Sequence, residues 1–99
     1  MSDENIAFYT NIFDEIKNKV SLVSEIEKRG VPLFNSGQNR KKCRCPFHND
    51  RTPSFFVYLE GDIESYYCFG GCGGGSVIDF VMNYDKLDLT QAIKYFSEN

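Results

Sequence analysis

Tryptophan is absent from this chain, and histidine occurs once, at His48. No apolar run approaches the length needed to span a bilayer, which excludes a membrane-crossing helix. The opening residues, MSDENIAFYT, are acidic and polar and lack the basic and apolar regions of a secretory leader. A cytoplasmic protein with no membrane partner is therefore expected. Internal repeats are missing, and the one biased stretch is the glycine run GGCGGG at residues 70–75. Length is scarce too: 99 residues make one small domain, whose core alone is marginal and calls for a staple.

Against these absences stand nine phenylalanines, six tyrosines and four cysteines. In a reducing compartment, clustered cysteines beside a histidine favour a metal site over disulfides. Charge is unevenly spread. The net charge of −3 argues against an anionic partner, yet residues 31–54 hold Arg40, Lys41, Lys42, Arg44 and Arg51 against Asp50 alone, a local balance of +4. Distribution outweighs total when the partner is an anion.

Periodicity gives the elements. Ile6, Tyr9, Ile12, Phe13, Ile16 and Val20 recur at helical steps. Ser21 suits an N-cap for a second helix carrying Leu22, Val23 and Ile26, which Gly30 closes and Pro32 keeps from resuming. LFNSGQNRKKCRC reads as a loop or hairpin leading into a strand. SFFVYLE (54–60) and ESYYCF (64–69) flank a short turn and form a hairpin. Ser76 and Asp79 have capping-box spacing and open a third helix through Val77, Phe80, Val81 and Tyr84. A last short helix runs through Leu89, Ala92, Ile93 and Phe96.

Five metal-ligand candidates compete for the four positions of a tetrahedral zinc site. Cys45 and His48 are separated by two residues, a spacing that lets a tight turn direct both side chains to one ion, and Pro46 stiffens that turn. Cys68 ends the predicted hairpin and Cys72 follows among glycines, which tolerate the close backbone approach of a ligand loop. Cys43 fits worse. One residue from Cys45, its side chain lies roughly 7 Å away along a strand, and Cys45 already has His48 as partner. Cys45, His48, Cys68 and Cys72 are therefore the expected ligands of one structural Zn2+, a closed site without an open catalytic position.

The segments CPFHNDRTPSF (45–55) and YYCFGGCGGGSVIDFVM (66–82), with NKVSLVSEI before them and LTQAIKYF after, resemble the N-terminal zinc-binding domain of DnaG-type bacterial and phage DNA primases. The resemblance covers roughly residues 16–96. One departure is plain: the family's second knuckle has two residues between its cysteines, and here Phe69, Gly70 and Gly71 make three. The resemblance implies an α+β fold, a zinc ribbon with a small antiparallel sheet flanked by helices. It divides the chain into an N-terminal helical extension (1–15) and a zinc-binding domain (16–99). It further implies recognition of single-stranded template DNA during primer synthesis, in concert with a catalytic primase domain or subunit and the replicative helicase. Without the acidic residues of a polymerase domain, the chain is expected to perform no catalysis by itself.

Residue chemistry points partly the same way. If residues 40–45 are extended, Lys41, Cys43 and Cys45 face the metal while Arg40, Lys42 and Arg44 share the opposite face. Together with Arg51, Phe56 and Tyr58, they supply cations for phosphates and rings for bases. Alternation must also send about half of the strand aromatics into the core, and sequence alone leaves open which half. The alternative function is a protein-interaction zinc ribbon that docks on a replication polymerase or helicase, its basic strand merely solvated. A redox role for Cys43 ranks behind both, because thiols in closed sites are poorly accessible.

Overall fold

A computed structural model describes residues 12–48, 52–61 and 63–98. The expected helical positions Ile6 and Tyr9, and Arg51 among the candidate DNA contacts, lie outside these residues. Helix α1 (12–19) leads into α2 (Leu22–Glu27), followed by five strands: β1 (Phe34–Asn35), β2 (Arg40–Cys43), β3 (Phe55–Tyr58), β4 (Ser65–Cys68) and β5 (Gly73–Gly75). Two helices close the chain, α3 (Val77–Asp85) and α4 (Leu89–Glu98). The strands form one antiparallel meander in the order β1-β2-β3-β4-β5. Among the described residues, no helix is long and apolar enough to cross a membrane.

The inner face of the sheet carries Cys43, Phe55, Val57, Tyr66 and Cys68, all buried. Against it pack Leu22 and Ile26 from α2 and Val77, Phe80 and Val81 from α3. Phe55 stacks on Tyr66 with centroids 5.0 Å apart, and Phe47 meets both rings as well as Phe80. Burying each such side chain is worth about 1.5–3 kcal/mol.

The helix caps follow the sequence. The Ser21 hydroxyl accepts the Ser24 N–H at 3.1 Å, and Glu64, from the β3–β4 connection, accepts the Leu22 N–H at 2.9 Å. At α3, the Asp79 carboxylate reaches back to the Ser76 N–H at 2.8 Å. Three helices are joined by polar groups. Arg29 donates to both carboxylate oxygens of Asp85, at 2.6 and 3.2 Å, and to the Glu25 carbonyl at 2.7 Å. Its guanidinium also lies 5.5 Å from the centroid of Tyr95, whose hydroxyl donates to Glu25 at 2.7 Å.

Two features depart from the expectations. β2 ends at Cys43, and Arg44 sits at a bend, so the extended segment is shorter than 40–45. Continuing the register past the Cys43–Phe55 pair would set Cys45 against Pro53, which has no N–H for the ladder. The glycine run is also more than a loop: Gly73, Gly74 and Gly75 pair with Cys68, Tyr67 and Tyr66 as the edge strand β5.

Candidate metal centre and the open face of the sheet

β4 delivers Cys68 to the end of the sheet, and the turn after β2 brings Cys45 and His48 alongside it. The ligand atoms of Cys45, His48, Cys68 and Cys72 all lie within 4.8 Å of one another. Cys45 Sγ is 3.6 Å from Cys72 Sγ, and His48 Nδ1 is 3.0 Å from the same sulfur. Cys45 and Cys68 form the buried side of the group; His48 and Cys72 form its exposed rim. Cys43 does not join them. Its side chain is buried in the core, where desolvation and then the nearby Cys68 push its thiol up to about 11.

Backbone amides point at the sulfurs. Burial raises the Cys68 thiol, but the N–H groups of Cys72 and Gly70, helped by Cys45 and Ser54, more than offset this and hold it below the usual range. Cys45 moves the other way. Burial drives it up to about 12, opposed by the Phe47 N–H and reinforced by Cys68 and Cys72. Crowded sulfurs in a half-buried site thus resist ionising together unless a cation compensates them. Three sulfurs and one imidazole at this spacing suit one tetrahedral zinc ion, which deprotonates its thiol ligands.

The three-residue knuckle closes despite its extra glycine. Gly71 adopts φ +106°, a conformation that side chains rarely allow. At Gly70, a Cβ would stand 3.3 Å from two atoms of the His48 ring, so the absent side chain leaves the imidazole its place.

On the other face, the register sets Arg40 opposite Tyr58, Lys42 opposite Phe56, and Phe56 opposite Tyr67. The expected contacts Arg40, Lys42, Phe56 and Tyr58 therefore share the uncovered side of the sheet. The Arg40 guanidinium lies 5.5 Å from the Phe56 centroid, and its Nε donates to the Ser36 carbonyl at 2.8 Å. Lys41 lies on the opposite face and donates to Asn35 Oδ1 at 2.9 Å. Arg44 is exposed at its bend, just past the strand.

The structure adds three rings to this surface that were not among the expected DNA contacts. Phe34, Tyr67 and Phe69 are 59%, 47% and 66% exposed. Phe69 meets Tyr67 edge-on at 4.8 Å and Phe56 at 5.6 Å. Tyr67 was reachable by alternation once the hairpin register was known. Phe69 was hidden by its place in the knuckle, where no strand period applies.

Comparison with known proteins agrees with this architecture. Residues 8–99 match the family model described as the CHC2 zinc finger. A DNA primase of Pseudomonas putida is 40% identical over 84 residues, covering 85% of this chain and 12% of that protein. The DNA primase of Escherichia coli is 41% identical over 81 residues, covering 82% of this chain and 13% of that protein. The chain thus spans about one-eighth of the length of the curated relatives it matches. The crystal structure of the Aquifex aeolicus primase, with its zinc-binding and RNA polymerase domains, superposes with a TM-score of 0.73 at 29% identity, covering 88% of this chain and 21% of that one. With the matched family, a zinc-type donor set and a shared fold, the chain belongs to the CHC2 zinc finger family, the zinc-binding domain of DnaG-type DNA primases.

Proposed function

We propose that this chain is the template-binding module of a DNA primase, acting on single-stranded DNA in the cytoplasm. Cys45, His48, Cys68 and Cys72 would hold the single zinc ion, whose role is to fix the turn after β2 to the end of β4. Residues 16–99 form the module and residues 1–15 lead into it, with α1 carrying the chain across that boundary. The module supplies no catalytic group. Primer synthesis falls to a catalytic primase domain or subunit, with the replicative helicase as a further partner.

The observation that carries this reading is the open sheet face, where Arg40 and Lys42 stand among Phe56, Tyr58 and Tyr67. Cations that follow a backbone and rings that stack on bases are the two parts of a single-strand site. Arg44 at the bend extends the basic track, and Arg51 is a further candidate cation from the sequence alone. The test is the salt dependence of binding to a short labelled single-stranded oligonucleotide, followed by anisotropy. Replacing Arg40, Lys42 and Arg44 together by Ala should flatten the log-affinity against log-salt slope by about 2, at about 0.7 per lost phosphate contact. Zinc content should not change. A parent chain with no salt-dependent binding would instead favour the protein-docking ribbon.

A further inference from the structure

Beside the metal centre, on the β1 side of the sheet, a cleft of about 520 Å³ opens among Val31, Pro32, Phe34, Cys43, Arg44 and Pro53. No residue of the metal group lines it, and it shares Phe34 and Arg44 with the edge of the open sheet face. Its volume falls within the roughly 300–1,000 Å³ of ligand pockets, which are mostly apolar with a few placed polar groups. Among the described residues, the lining is apolar except for Arg44. Two prolines stiffen the walls, so little order would be lost on filling it. Phe34 forms one side and leaves 59% of its surface bare, on a strand of only two residues.

We infer that this cleft receives one unstacked base of the single strand, with Phe34 against the base and Arg44 on the adjoining phosphate. The inference rests on the template-binding reading and deepens it. Three observations favour a nucleotide over an apolar peptide. Among the described residues, the lining contains a cation and no acidic group. It belongs to the segment of residues 31–54, the one stretch of the chain with a strong positive balance. Phe34 also pairs with Lys42, so the cleft continues the cationic and aromatic face of β2 and β3. Cys43, buried and outside the metal group, then serves as part of the wall.

The experiment walks a single abasic position along an oligonucleotide bound to the zinc-loaded chain. One position should weaken binding about 5- to 150-fold, the worth of a stacked base, while its neighbours cost less. Phe34→Ala should weaken binding to the intact strand by a similar factor and erase the penalty at that position. Because Phe34 is exposed, this change leaves zinc content and melting temperature near those of the parent. Val31→Phe, which enlarges another lining side chain and narrows the cleft, should also erase the penalty while retaining Phe34. Arg44→Ala should flatten the salt slope by about 0.7. A flat abasic profile in a parent that binds with a normal salt slope overturns the base pocket alone, as does a profile unchanged in both Phe34→Ala and Val31→Phe. A parent that does not bind single strands overturns this inference and the functional reading together.

Discussion

Cys43 and Cys45 are one residue apart, and both are buried, yet their surroundings differ. Cys45 has the Phe47 amide aimed at its sulfur and Cys72 at 3.6 Å. Cys43 pairs with Phe55 inside the sheet and faces the core. This distinction was legible in the sequence, because a two-residue chelate spacing and a one-residue strand spacing have different geometric consequences. Substitution should separate them. Cys45→Ser, His48→Ala, Cys68→Ser and Cys72→Ser should each lower zinc affinity at least about 100-fold, more than the 10–100-fold that outer partners of a metal ligand typically contribute. Cys43→Ala should keep one zinc per chain, measured by competition with a chromophoric chelator. Loss of zinc from Cys43→Ala with retention in His48→Ala would mean a site of four cysteines.

At the scale of elements, the helix caps at Ser21 and Ser76 and the hairpin of β3 and β4 could be read directly, since each rests on local chemistry or on period-two patterning. β5 could not. Three glycines have little intrinsic tendency to form a strand, and their pairing depends on β4 lying alongside and on α3 starting immediately afterwards. The end of β2 was equally hidden, because it depends on Pro53 standing opposite in a register fixed by the hairpin. Once formed, β5 requires its glycines. A Cβ at Gly74 would lie 2.5 Å from the Tyr66 carbonyl oxygen and 2.9 Å from the Tyr67 ring, and one at Gly75 would lie 2.6 Å from the Asp79 carboxylate. Backbone cannot move aside as a flexible side chain can. Gly74→Ala should therefore destabilise the fold by about 1–3 kcal/mol, the usual cost of overpacking, seen as a lower urea midpoint at unchanged m-value. An unaltered midpoint would show that β5 is free to shift away from β4.

Across the whole molecule, the Cys45, His48, Cys68 and Cys72 group brings the turn after β2 against β4 and the knuckle, while α2, α3 and α4 meet through Glu25, Arg29, Asp85 and Tyr95. Glu25 is only 6% exposed, and burial by itself would raise its pKa. Hydrogen bonds from Lys28, Tyr95 and Arg29 more than offset that, and its pKa falls below the ordinary value of 4.5. A depressed carboxyl pKa means that the unfolded chain takes up its proton first as the solution is acidified. Glu25 therefore stabilises the fold fully above about pH 4.5, and that contribution disappears as pH falls through its lower folded value. Glu25→Gln keeps the size of the side chain but discards the charge, so it should be less stable than the parent near neutrality by about 1–2 kcal/mol, within the range for hydrogen bonds to charged groups. Acid also weakens zinc binding by protonating the ligands, but this acts on both chains alike. In excess zinc, the difference between the two should hold steady from pH 7 to about 5 and then shrink below about 4.5. Parallel denaturation series across that range measure it, and a difference that stays constant into acid would show that Glu25 carries no charge-dependent share of the tie between the helices.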